Sequence, residues 1–116
     1  MKKEYRIKKS KEIETILRKK KSSGNKYYII YVTKNHETKH FRLAMSVSKK
    51  IGNAVVRNRQ KRQIKNIINI YKNNLKNFNI FVIARKDSLT LSHDDRLFQI
   101  KKILKTLDVW SEETNK

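Results

Sequence analysis

A one-faced strand that runs straight into a cationic amphipathic helix limits the folds open to this chain. Residues 41–48 alternate, with Phe41, Leu43, Met45 and Val47 on one side and Arg42, Ala44, Ser46 and Ser48 on the other. That period of two belongs to a strand with one face on a core and the other open. From Asn53, a good N-cap, a helix is predicted over 53–76. At about 100° per residue, Ile64, Ile67, Ile68, Tyr71 and Leu75 fall within roughly a 100° stripe. Asn58, Lys61, Arg62, Lys65, Asn69, Lys72 and Lys76 take the opposite side. Arg57 is an exception, because its azimuth falls on the apolar stripe; its side chain should project past the end of the sheet toward the open face. A strand face and a helix stripe of this kind bury each other, so helices laid on a small sheet are expected.

The remaining elements follow from period and punctuation. Ser10 is expected to cap a helix with Glu12 in its first turn and Ile13, Ile16 and Leu17 as its face, ending in the cations of 18–21. Residues 27–33 (YYIIYVT) form a strand by composition, with Tyr27, Ile29 and Tyr31 on one face and Tyr28, Ile30 and Val32 on the other. The continuous apolar run 79–85 (NIFVIAR) is predicted as a strand buried on both faces. Ser92 with Asp95 resembles a capping box that opens a helix carrying Leu97, Ile100, Leu104 and Leu107. A short extra strand fits near 19–23. The class is α+β: a two-layer α/β sandwich, with a mixed sheet of about four strands packed by three helices. One domain is expected over 1–110, followed by a frayed polar tail at 111–116.

Charge points to the partner. Thirty Lys and Arg against ten Asp and Glu give +20 and a pI near 10.4, while hydrophobic residues reach only 37% against 34% charged. A thin core under that much positive charge implies a polyanion, with nucleic acid ahead of an anionic membrane surface. No apolar run approaches the ~18 residues of a membrane span, and the N-terminus lacks the apolar core of a signal peptide. The absence of cysteine excludes a disulfide framework and thiolate metal sites and fits a reducing, cytoplasmic setting. Charge is densest where Lys49 and Lys50 precede Gly52 and a helix whose first turns carry Arg57, Arg59, Lys61 and Arg62. Free N–H groups and a partial positive charge at that helix start both suit phosphate.

No residue pattern points to chemistry carried by the protein. His36-Glu37-Thr38-Lys39-His40 matches the zinc-protease pattern literally, but that site needs both histidines one turn apart on a helix. Here the five residues fall between two predicted strands and are expected to form a polar hairpin tip. Asp94 and Asp95 serve a helix start, His93 has no evident partner, and the lone Trp110 is expected to pack. Tyrosines in a strand are core residues about twice as often as stacking platforms. One strand face must stay open, however, and exposed aromatics there would suit single-stranded nucleic acid.

The segment 42–62, RLAMSVSKKIGNAVVRNRQKR, resembles the signature of the bacterial ribonuclease P protein family. Its most specific parts are SVSKKIGNAV and the Arg57-Asn58-Arg59 core, and residues 5–17 and 79–107 also follow the family pattern. The resemblance implies an α/β sandwich with a left-handed βαβ crossover. It also implies a protein cofactor for a catalytic RNA that removes the 5′ leader of precursor tRNA, with Mg²⁺ held mainly by the RNA. The partners implied are that RNA and precursor tRNA, with no membrane and no obligate protein partner. Arg57, Asn58, Arg59, Lys61, Arg62 and Lys65 become the face for the catalytic RNA. A leader cleft would be lined by Ile13, Leu17 and Tyr31, with Lys49, Lys50, Arg85 and Lys86 on phosphates. The family usually has aromatics where this chain has Ile13 and Leu17, which leaves Tyr31 as the remaining stacking candidate. The rival reading is a structural RNA-binding protein such as a small ribosomal protein, which has no need of a cleft for a free strand.

Overall fold

The computed structural model describes residues 3–112. Strands β1 (Ser22–Gly24), β2 (Tyr28–Lys34), β3 (Arg42–Val47) and β4 (Phe78–Ala84) form one sheet in the order β1-β2-β4-β3. β2 is antiparallel to both of its neighbours, and β3 is parallel to β4. A parallel neighbour is reached only by a crossover, supplied here by helix α2 (Ala54–Ile70) between β3 and β4; α1 (Ser10–Arg18) and α3 (His93–Thr106) are the other helices.

β2 and β3 do not form the expected hairpin, because β4 lies between them. Ile80, Phe81, Val82 and Ala84 are all buried, so the strand that is apolar on both faces takes an interior position in the sheet. The connection through His36–His40 therefore spans the end of β4. Asn35 shapes it: its Oδ1 accepts from the Glu37 and Thr38 amides at 3.0 and 3.3 Å, and its Nδ2 donates to the His40 carbonyl at 2.7 Å.

The main core lies between one sheet face and both α2 and α3. Tyr28, Ile30, Val32, Leu43, Ile80 and Val82 meet Ile64, Ile67 and Ile68 of α2 and Ile100, Ile103 and Leu104 of α3. The other face carries α1, where Ile16 joins Ile7, Ala44 and Phe81 in a second, smaller cluster. Trp110 packs edge-on to Tyr71 at 4.8 Å, as expected of a core residue.

The helix starts follow local chemistry. Asn53 Oδ1 accepts from the Val56 amide at 3.1 Å and Ser92 Oγ from the Asp95 amide at 3.1 Å, so both predicted caps are present. Ser10 is not a cap; it is the first helical residue, and the Lys9 carbonyl accepts from Glu12 and Ile13. Gly52 is extended, a conformation open to any residue, and what favours glycine there is space. An added Cβ would come within 3.0 Å of the Val56 side chain.

Helix α2 stops at Ile70 instead of running to 76. Tyr71 ends it with its hydroxyl donating to the Leu97 carbonyl at 2.8 Å, and Leu75 leaves the helix path to bridge Trp110. Leu75 is buried, as the stripe requires, but from outside the helix. The expected loose tail is partly held: the Ser111 amide donates to the Asn74 carbonyl at 2.7 Å and Glu112 pairs with Lys105 at 3.1 Å. Residues 113–116 of that tail lie outside the described residues.

Tyr28 is fully buried, and its hydroxyl lies beside the buried Arg96 guanidinium without a well-formed hydrogen bond. Burial raises the phenol pKa, with Arg96 acting against the rise; Tyr71 is raised by burial too. A raised folded-state pKa gives stability that is complete below the unfolded value of about 10 and is lost as pH climbs through the folded value. Tyr28→Phe should change stability at pH 7 by under about 1 kcal/mol and make its decline above pH ~10 shallower. Urea melts across alkaline pH test this, and an unchanged alkaline slope contradicts it.

Candidate nucleic-acid interface

Because β3 and β4 run parallel, the segments that follow them leave the sheet at the same end. Lys49 and Lys50 sit in a 3-10 turn after β3, and Arg85 and Lys86 follow β4; all four are exposed. β2 begins at this end too, with Tyr28 opposite Ala84, and Arg85 Nη1 donates to the Asn25 carbonyl at 3.2 Å. α2 starts here as well. The four cations expected on phosphates and the Arg57-Asn58-Arg59 turn are thus brought to one end of the molecule.

Along α2, Arg57, Lys61 and Lys65 follow one another at four-residue spacing on one flank. Lys61 and Lys65 line a depression of about 180 Å³ with Arg6, Ile13, Ala44 and Met45 at the β3 edge. Asn58, Arg59 and Arg62 are exposed. Arg57 is half-buried, and its Nε is shut off from solvent with no protein acceptor. Acidic residues stand in the first turns of α1 (Glu12) and α3 (Asp94, Asp95), but none stands in the first turn of α2. The positive end of the α2 dipole therefore faces further positive charge, an arrangement that an anion relieves.

Register arranges the α1 side of the sheet into three rows: Thr33–Asn79–Arg42, Tyr31–Phe81–Ala44 and Ile29–Ile83–Ser46. α1 lies on the first two. Ile16, 1% exposed, meets Ala44 and Phe81, while Glu12 pairs with Arg42 at 2.6 Å, both side chains largely buried. The third row lies toward the cationic end, with Ile29, Ile83 and Ser46 half-buried. Glu12, Thr15 and Lys19 face the first row. Helical geometry then turns Ile13 and Leu17 toward the third.

Ile13, Leu17 and Tyr31 accordingly fall beside the third row, and Lys49, Lys50, Arg85 and Lys86 follow the strands beyond it. Ile13 and Tyr31 are half-buried against the second cluster, and Leu17 is 36% exposed. Tyr27 shares the alternation of Tyr31 but precedes β2 and packs on the main core. The third row itself is Ile29, Ile83 and Ser46, and sequence reasoning did not assign these three to the site. The phase of 79–85 against 27–33 would have supplied Ile83, had the pairing of the two strands been known. The zinc-like pattern is dispersed: His36 is exposed, Glu37 reaches Arg42 at 3.4 Å, and His40 packs tilted against the Tyr5 ring, centroids 4.0 Å apart, with its Nδ1 donating to the Phe41 carbonyl.

Residues 1–108 match the family model for ribonuclease P. The ribonuclease P protein component of Staphylococcus epidermidis is 43% identical over 93% of this chain and 96% of that protein. That of an Exiguobacterium strain is 36% identical over 97% and 98%. Among solved structures, the Staphylococcus aureus RNase P protein superposes with a TM-score of 0.85 at 36% identity, covering 92% of this chain and 98% of that one. The chain belongs to the ribonuclease P protein family. The Thermotoga maritima RNase P protein keeps the fold at 28% identity, with a TM-score of 0.78 over 87% and 96% of the two chains. Ribonuclease P proteins take part in the maturation of tRNA 5′ ends, so the ribosomal-type alternative is not favoured. Among the described residues no helix is long and apolar enough to cross a membrane.

In this ribonuclease P protein the Glu12–Arg42 pair clamps α1 to the sheet. Arg42→Met leaves the largely buried Glu12 carboxylate without its partner and should cost about 1.5–3 kcal/mol. Thermal or urea unfolding measures this, and a loss under ~0.5 kcal/mol, the size of an ordinary surface change, would show that the clamp is not needed.

Proposed function

We propose that this chain is the protein subunit of a bacterial ribonuclease P holoenzyme, an endoribonuclease, with two RNA surfaces that adjoin at the β3 edge, where Ile13 shares a depression with Lys61 and Lys65. Arg57, Asn58, Arg59, Lys61, Arg62 and Lys65 bind the catalytic RNA. The groove of Ile13, Leu17 and Tyr31, with Lys49, Lys50, Arg85 and Lys86, takes the 5′ leader of precursor tRNA. The observation that carries this reading is the division of cations by the β3 edge, with a helix row on one side and a groove with an apolar floor on the other. An apolar floor beside lysines suits unpaired bases on a phosphate backbone, whereas a helix flank of cations suits folded RNA.

Hydrolysis is assigned to the RNA subunit, with Mg²⁺ held mainly by that RNA supplying the metal chemistry. The protein's part is to bind and orient. Its cations reduce repulsion between leader and catalytic RNA, which lets the two approach at lower Mg²⁺. Ile13 and Leu17 offer shape where an aromatic would stack, so Tyr31 is the stacking group for a leader base. The reading places the protein in the cytoplasm with its RNA.

Binding assays test the division. Arg59, Arg62 and Lys65 changed together to Ala should weaken catalytic-RNA affinity by about 1–3 kcal/mol and flatten its salt dependence. Tyr31→Ala should leave that affinity intact and weaken precursor tRNA, with no effect on mature tRNA. Equal loss for both tRNAs would make Tyr31 a core residue and overturn the groove assignment.

A further inference from the structure

Two depressions flank the C-terminal end of α1, on the side away from the proposed leader groove. One, of about 290 Å³, lies between α1 and the first row of the sheet; the other, of about 370 Å³, opens beside Val32 and Phe78. They share Lys19, Thr33, Lys34 and His36 and so form one continuous surface. Lys21 lies over the Phe78 ring at 5.6 Å. Among the described residues Lys19, Lys21 and Lys34 form no ion pair; the cations that do are Arg42, Lys76 and Lys105. The carboxylates at this surface, Glu12 and Glu37, are both engaged by Arg42. Asn79 Oδ1 is shielded there with no partner. The surface is thus cationic, with an aromatic floor and little to neutralise it from within the protein.

Its position links it to the groove. The third row of the sheet ends at the β1 edge, where Gly24 pairs with Ile29, and β1 runs back from there to Ser22, opposite Tyr31. Lys21 continues the line, with its carbonyl accepting from the Val32 amide at 3.0 Å. From Gly24 to Lys21 is about 10 Å of extended chain. We infer that Lys19, Lys21 and Lys34, with Phe78, form a second phosphate-binding site that takes the upstream part of the precursor-tRNA leader after it leaves the groove at the β1 edge. This rests on the leader reading above and extends it around the end of α1. Exposed lysines beside an aromatic ring hold a single strand without reading its sequence, so the site senses leader length.

A leader-length series tests it, using precursor tRNAs that carry progressively longer leaders and the assembled holoenzyme. Wild-type affinity should keep rising beyond the length at which the groove alone is filled. Lys19→Gln, Lys21→Gln and Lys34→Gln combined should abolish that further rise, a loss on the order of tenfold from three exposed lysines worth roughly a factor of two each. The salt slope for long leaders should fall by roughly 0.7 for each lysine–phosphate pairing removed. Affinity for the shortest leader and for the catalytic RNA should stay unchanged. A control removes the same charge elsewhere, with Lys39→Gln, Lys72→Gln and Lys102→Gln, and should keep the length dependence.

Full length dependence in the first triple variant would overturn the inference, and so would equal flattening in the control, which would indicate diffuse charge. Weakened catalytic-RNA binding without an effect on leader length would assign the surface to the RNA subunit and likewise overturn it. If even the shortest leader gave no advantage over mature tRNA in the wild-type holoenzyme, the leader reading itself would fail, and this site with it.

Discussion

The parallel ladder between β3 and β4 sets where the cations proposed to meet RNA stand. Two parallel strands end on the same side, so Lys49 and Lys50 after one strand meet Arg85 and Lys86 after the other. The crossover helix between them must begin at that end, which brings Arg57, Asn58 and Arg59 alongside. Had the sheet been antiparallel throughout, the two pairs of cations would stand at opposite ends, and no single strand could meet both with the α2 turn. The ladder is in turn fixed by burial. β4 is apolar on both faces, with Ile80 and Val82 toward α2 and α3 and Phe81 toward α1, so it holds an interior place between β2 and β3.

The open row of the sheet follows from the size of the helix that lies across it. Rows on one face of a strand repeat about every 6.6 Å, and a helix with its side chains is about 10 Å wide. α1, nine residues long, therefore covers about two of the three rows. The Glu12–Arg42 pair holds it over the row farthest from the cationic end. What remains is a strip of Ile29, Ile83 and Ser46 between the helix and the lysines. The same side chains that stabilise the sheet from α1 thus set the width of the groove.

Local chemistry was legible in the sequence, and pairing was not. Asn53 and Ser92 announced their helices by their capping side chains, and alternation announced strands at 41–48 and 27–33. In 41–48 the face of Leu43 and Val47 meets the main core as expected, but α1 buries Ala44 on the face expected to stay open, and for 27–33 alternation left open which face is buried. The stripe of Ile64, Ile67 and Ile68 pointed to the sheet. Non-local contacts decided the rest. Nothing within 35–41 signals that β4 will separate β2 from β3, so a hairpin was the natural expectation. Helix α2 ends early because Leu75 bridges Trp110 and Asn74 exchanges hydrogen bonds with Ser111, partners more than thirty residues away. Of the residues of the proposed site, the α2 cations were legible from charge and period. The groove residues Ile13, Leu17 and Tyr31 came only through the family resemblance, since composition cannot tell which strand face stays uncovered.

In the proposed assembly the β3 edge separates a surface for the catalytic RNA from a groove for the leader. The chain contains no cysteine, so a single cysteine can carry a short photo-crosslinker at one chosen position. Two probes, at Ser46→Cys in the groove and at Asn58→Cys on α2, in holoenzyme bound to precursor tRNA, measure this separation directly. The probe at position 46 should label the leader and the probe at 58 the catalytic RNA, and replacing the precursor with mature tRNA should abolish only the first product. Labelling of the catalytic RNA from both positions, unchanged when mature tRNA replaces the precursor, would contradict it.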